Sequence, residues 1–200
     1  MSQKIDLSAV SDEDLVAALL ARVPKDGFLS SPLFDIIADV MPVVCVDGVP
    51  YRYINGIPEV LAIRRNNGQF AGKLCTVGGR IYGGRTLTRE SVEEALRRHF
   101  VCDLGVDITL DSGWQRPFWV GQSAPEGTGL FGPENAKHAV ALRYLVKLSD
   151  ENFVFGEGFG GQEVDGVEWF SKKTLPAPQA FGYDHYETFS VALDQLGLRR

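Results

Sequence analysis

The residues best spaced for chemistry are Gly78-Gly79-Arg80, closing a strand-like run, and Asp103-Leu104-Gly105, closing a helix-like one. A double glycine lets a ligand come close to the backbone. A carboxylate and a glycine carbonyl are hard oxygen donors of the kind Mg²⁺ takes. An arginine can grip phosphate oxygens through parallel hydrogen bonds. Together these groups suit a phosphate-rich ligand held through a cation, and because a helix C-terminus disfavours negative charge, Asp103 calls for a compensating cation. Helical spacing makes His99, Cys102 and Asp103 neighbours, with Glu90, Glu94 and Arg98 on adjoining turns. That pattern also describes an amphipathic helix with solvated charges. A further alternative is a nitrogen, sulfur and oxygen donor set that zinc would accept.

The elements that position these residues are legible from periodicity and turn chemistry. Ser11-Asp12-Glu13-Asp14 predicts a helix N-cap and first turn. Leu15, Val16, Leu19 and Leu20 keep helical spacing up to Pro24. Ser31-Pro32 predicts the start of a second short helix, ended by Pro42. Val43–Val46 and Glu59–Arg65 predict strands, and Leu74–Val77 predicts a strand leading into the glycines. Asp47-Gly48-Val49-Pro50, Asn55-Gly56-Ile57-Pro58 and Asn66-Asn67-Gly68 predict turns. Thr88–Asp103 is the strongest helix, with Gly105 as its stop. Beyond it come strands at Val106–Leu110, Phe118–Val120, Ala139–Leu148 and Val164–Phe170, and an amphipathic helix at Tyr183–Leu196. Ser123–Lys137 reads as a long loop and Gly156–Gly161 as a flexible stretch. Strands mixed with a few helices predict an α/β layered domain, here residues 33–200, behind an N-terminal helical extension at 1–32.

Composition narrows the function classes. Two hundred residues suit one domain with a core of useful size. A formal charge of −6 argues against sequence-independent nucleic-acid binding, while a few local arginines suffice for a nucleotide. Cys45, Cys75 and Cys102 are odd in number and form no CxxC pair, which argues against a disulfide framework and for a reducing, cytoplasmic setting. No secretory leader and no apolar run approaching the ~20 residues of a membrane span is present, so no membrane partner is expected.

Gly78-Gly79, Glu90, Arg98 and Asp103-Leu104-Gly105 together resemble the Nudix box, the strand–loop–helix signature of hydrolases acting on nucleoside diphosphates linked to another group. Seven residues separate Glu90 from Arg98, and Gly105 stands seven beyond Arg98, as in that box. Ten residues separate Gly79 from Glu90, a longer loop than the family's, with the surplus placed within Tyr82–Thr88. His99, Cys102 and Asp103 stand where the family carries glutamates, so one helix carboxylate remains. The resemblance is nearest the GDP-mannose mannosyl hydrolase branch, which lives with fewer carboxylates and cuts the sugar–phosphate bond. It runs roughly from Phe34 to Leu196, through the entry Phe34–Val46, the element Val77-Gly78-Gly79-Arg80, and Arg65 fifteen residues before Arg80.

That resemblance implies an α/β/α sandwich around a mixed β-sheet, a Mg²⁺ cofactor, and a nucleotide-sugar or other nucleoside diphosphate substrate. It implies metal ligands at Gly78, Asp103 and Gln162 (or Glu163, one residue along), with Trp169 anchoring the comparison. Arg65 and Arg80 would contact the diphosphate, and His138 the substrate. The branch's general-base histidine is missing, which leaves Glu163 or Asp165 to activate water. Gly79, Glu90, Arg98 and Gly105 would be structural, Glu90 and Arg98 through an ion pair. Many relatives are dimers, so a homodimer is expected. The alternative is a Nudix-fold module that binds or senses a nucleotide without turnover.

Overall fold

A computed structural model of the chain describes residues 11–21, 42–68, 70–82, 90–108, 116–123, 138–148 and 163–198. The expected helix at Ser31–Val40, the segment Gly156–Gly161 and all of the Ser123–Lys137 loop after Ser123 lie outside them. The first helix, α1 (Asp12–Ala21), starts where its cap predicts: the Asp14 N–H donates to Ser11 Oγ at 3.1 Å.

Seven strands form one mixed sheet: β1 (Val43–Ile54), β2 (Ile57–Arg65), β3 (Leu74–Cys75), β4 (Val77–Arg80), β5 (Trp119–Ser123), β6 (Ala139–Lys147) and β7 (Val164–Phe170). The spine runs β3-β2-β1-β6-β5, with β4 paired to β1 and β7 to β2. β1 is its axis. It runs parallel to β6 over Val43–Tyr51, while its other edge is shared between β4, at Cys45–Gly48, and β2, at Tyr51–Ile54. The β1–β2 turn is Asn55-Gly56, both with positive φ (50° and 77°), the two-residue hairpin connection that matches strand twist.

Two helices cover the two faces: α2 (Val92–Leu104) and α3 (His185–Leu198). Strand alternation divides the core between them. Val46, Leu61, Ile63, Val77, Tyr144 and Val146 pack under Ala95, Leu96, Phe100 and Leu104 of α2. Val49, Val60, Ala62 and Leu74 pack under Phe189, Ala192, Leu193 and Leu196 of α3. The result is the expected α/β/α sandwich.

Three expectations are corrected. Asp47-Gly48-Val49-Pro50 is no turn but the middle of β1, all four residues buried. Gly48 is there because Phe100 lies over it, 2.4 Å from where a Cβ would stand. Pro50 falls in the interval between the β4 and β2 pairings, where that edge has no strand partner to lose a hydrogen bond to. Helix α2 begins after Ser91 rather than at Thr88, because Ser91 and Glu94 form a capping box. Val106–Ile108 is not a strand, and the rest of that expected element lies outside the described residues.

Candidate active site

Gly78 is the hinge of the site. It sits in β4 directly across from Asp47 in β1. A Cβ there would come 2.3 Å from the Val46 carbonyl oxygen and 2.6 Å from Asp47 Oδ1, so only glycine fits. Its N–H bonds the Asp103 carboxylate on the face covered by α2. Gly79 is needed for a different reason. The His99 ring rests on it, with Cε1 2.7 Å from a would-be Cβ, and His99 Nε2 lies 3.3 Å from the Arg80 carbonyl.

Helix α2 is tied to this strand end by Arg98. Its Nε and Nη2 donate to the two oxygens of Glu90 at 2.6 and 2.8 Å, and Nη2 also donates to the Arg80 carbonyl at 2.9 Å. The guanidinium lies 3.8 Å over the Tyr82 ring. Glu90 in turn accepts the Tyr82 N–H at 2.8 Å. At the far end Gly105 takes the left-handed conformation (φ 66°) that closes α2, as its type predicts.

Asp103, one residue from the end of α2, is the chemically unusual group. Burial pushes its pKa up to about 6, and the nearby Glu163 carboxylate pushes the same way against Arg65, the Gly78 N–H and Arg98. Arg65, the last residue of β2, donates to Glu163 at 2.7 Å. Gly78, Asp103, Arg65 and Glu163 therefore come together from four different elements. Two carboxylates within electrostatic reach of each other, with one arginine between their charges, offer hard oxygen donors. That donor set fits Mg²⁺, which keeps several waters and leans on ligand phosphates more than on a protein cage. It does not fit the zinc alternative. Among the described residues no three His, Cys, Asp or Glu side chains are arranged to hold a metal, and Cys102 is exposed. Burial, with Arg98 nearby, lowers the His99 pKa to about 4, so the ring is neutral near pH 7.

The remaining expected site residues are placed elsewhere. Arg80 pairs with Cys45 and by alternation faces the α3 side of the sheet, in electrostatic range of the Cys45 thiol. His138 precedes β6, with β1 between it and β4; its Nε2 lies 2.7 Å from the Gln122 side-chain nitrogen. Asp165 is exposed and is skipped in the β2–β7 pairing, which passes from Arg64–Gly166 to Arg65–Val164. Gln162 lies outside the described residues.

A buried cluster on the α3 face was not anticipated: Asp47, Arg143, Asp184, His185 and Thr76. One signal existed in the sequence. Arg143 interrupts the apolar run of β6 at an inward position, and a charge there requires buried partners.

Comparison with curated protein sequences gives no match. The fold does match solved structures. The Nudix domain of NrtR from Shewanella oneidensis, crystallised with ADP ribose, superposes with a TM-score of 0.55 at 19% identity, over 90% of this chain and 97% of that one. A candidate asymmetric diadenosine tetraphosphate hydrolase from Jonesia denitrificans gives 0.58 at 23% identity, over 79% and 96%. A MutT Nudix hydrolase from Burkholderia pseudomallei gives 0.51 at 24% identity, over 78% and 98%. The fold is thus the Nudix fold. One family model covers residues 24–182, and on that match the chain belongs to the family described as a domain of unknown function, DUF4916.

Proposed function

We propose that this chain is a Mg²⁺-dependent hydrolase of a nucleoside diphosphate derivative, with a nucleotide sugar of the GDP-mannose kind as the leading substrate class. The reading rests on one observation above all: a desolvated carboxylate, Asp103, bonded to the Gly78 backbone and facing Glu163 and Arg65. Asp103, with the Gln162 that precedes Glu163 in the chain, would hold the ion beside the Gly78 carbonyl. Bound there, Mg²⁺ would neutralise the diphosphate and make it a better leaving group.

The chain's own residues supply the rest. Arg65 would take phosphate oxygens: by alternation it follows Leu61 and Ile63 on the α2 face, and its charge acts on Asp103. Glu163, with 59% of its side chain exposed, meets water at the edge of the site. It would accept a proton as the water oxygen bonds to the anomeric carbon and the carbon–oxygen bond to the diphosphate breaks. Arg65, released from Glu163, would then hold the departing diphosphate.

A second reading is favoured by His99 and Cys102, which on the resemblance to the Nudix box stand at positions where that box carries carboxylates. On that reading the chain binds a nucleotide without turning it over. One experiment separates the two. Incubate the protein with GDP-mannose, ADP-ribose and diadenosine tetraphosphate, with and without Mg²⁺, and follow products by chromatography beside thermal-shift binding. Mg²⁺-dependent release of sugar or nucleotide from one of them supports hydrolysis. Ligand-induced stabilisation with no product across the panel supports the binding module.

A further inference from the structure

We infer that Asp47 is a positioning residue for the candidate site, holding the Gly78 backbone from the opposite face of the sheet so that its amide meets Asp103. This rests on the reading of Gly78 and Asp103 as the site.

The geometry is a single row across the sheet. Asp47 is the register partner of Arg143 on one side and of Gly78 on the other. Arg143, 1% exposed, donates through Nε to Asp47 Oδ2 at 3.4 Å and grips Asp184 with both terminal nitrogens, Nη1 to Oδ2 at 2.8 Å. Its guanidinium fits only because the neighbouring strand β5 has glycine at 121, where a Cβ would lie 2.5 Å from Arg143 Cζ. Asp47 is thereby fixed from behind. Its other oxygen fills the space a Gly78 side chain would need.

A second arm fixes the strand crossover. Thr76 is the single residue between β3, which pairs with β2, and β4, which pairs with β1. The Thr76 N–H donates to His185 Nδ1 at 3.2 Å, and burial keeps the ring neutral, so its proton sits on Nε2. That nitrogen lies 3.3 Å from Thr76 Oγ1 and 3.9 Å from Asp47 Oδ2. Thr76 also bonds Asp47. The start of α3, the crossover and the row through Arg143 therefore converge on one carboxylate, and that carboxylate bears on Gly78. Apolar residues of like volume would hold α3 to the sheet as well or better, since buried ion pairs add little net stability. What an ionic row adds is position.

The test compares Asp47→Ala and Asp47→Asn with Asp184→Asn, which loosens Arg143 at its far end and leaves Asp47 against Gly78. Two quantities are read: amide hydrogen exchange at Gly78 and Gly79 in the metal-free protein, and the affinity for Mn²⁺ alone by electron paramagnetic resonance. Asp47→Ala should speed Gly78 exchange and weaken Mn²⁺ binding by about tenfold, the size of second-shell effects on metal sites. Asp47→Asn should recover part of both, because it keeps the shape. Asp184→Asn should lower the melting temperature yet leave both readings nearly unchanged. Equal effects of Asp47→Asn and Asp184→Asn, or an unaltered Gly78 amide in either Asp47 variant, would overturn the inference; the asparagine variant decides alone should the alanine one not fold. If the wild type takes no Mn²⁺, the functional reading fails, while Gly78 exchange still judges Asp47.

Discussion

The Arg65 guanidinium and the Glu163 carboxylate lie 2.7 Å apart, joining the end of β2 to the start of β7. This contact places one expected phosphate ligand and one expected base in each other's hands. A ligand that draws Arg65 away would leave Glu163 free to take a proton. Glu163→Gln should therefore lower turnover by roughly 10²–10⁴-fold, the usual contribution of a general base. It should also remove a charge that holds the Asp103 pKa up, so the Asp103 carboxyl resonance should titrate below its wild-type midpoint of about 6. An unmoved midpoint in a carbon-detected NMR titration would show that the two carboxylates do not communicate.

Asp103 makes a prediction about stability and pH. Its folded pKa of about 6 lies above the ordinary value of 3.8, chiefly through burial. Between these values the folded state binds more protons than the unfolded one, so this group's contribution to stability falls as pH rises. Asparagine has no such dependence. Without divalent ions, the melting temperature of Asp103→Asn should gain on wild type as pH climbs from about 4 to about 6, then level off. Each kcal/mol of difference moves the melting temperature by about 2–4 °C for a chain of this size. Mg²⁺-dependent stabilisation by ligand should be absent from the variant. A constant offset across the pH range would count against a desolvated carboxylate at 103.

Glycines give a paired prediction. Gly121→Ala drives a methyl to 2.5 Å from the Arg143 guanidinium and should cost about 1–3 kcal/mol by overpacking. Gly166→Ala meets only Arg64 Cβ at 3.9 Å, with no positive φ to strain, and should be neutral or stabilising by a few tenths of a kcal/mol up to about 1. Urea unfolding midpoints distinguish the two. Similar midpoints would mean that Arg143 can move aside.

The thiols differ sharply. Burial pushes Cys45 and Cys75 up to about 12, while Cys102 is exposed on α2. The thiolate is the reactive form. Iodoacetamide at pH 8 should modify Cys102 first, with Cys45 and Cys75 protected until the protein unfolds, as read by peptide mass spectrometry. Early labelling at Cys45 would indicate that the β1–β4 pairing opens readily.

Local signals were legible in the sequence where one residue type answers one backbone need. The Asn55-Gly56 hairpin, the Gly105 stop, the alternation of β6 and the bounds of β7 are of this kind. Asp47-Gly48-Val49-Pro50 misled because its residue types are those of turns. Their real reasons are distant: Arg143 for Asp47, Phe100 for Gly48, and the gap between β4 and β2 for Pro50. The site divides the same way. Spacing along the chain marked Gly78 and Asp103 as candidates, whereas the face on which Arg80 lies follows only from the alternation of β4. The Asp47 row was beyond reach, since residues 47, 76, 143, 184 and 185 meet only through the fold.

The reciprocal bonds between Tyr82 and Glu90 have a consequence for how this protein can vary. The Tyr82 N–H meets the Glu90 carboxylate and the Glu90 N–H meets the Tyr82 carbonyl at 3.3 Å, so the intervening segment leaves and rejoins the frame at one clasp. Lengthening a segment closed in this way is inexpensive, about 0.6 kcal/mol for each doubling. A change of chain length between Tyr82 and Glu90 therefore leaves both ends of the clasp where they are, so strand, clasp and helix need not move with it.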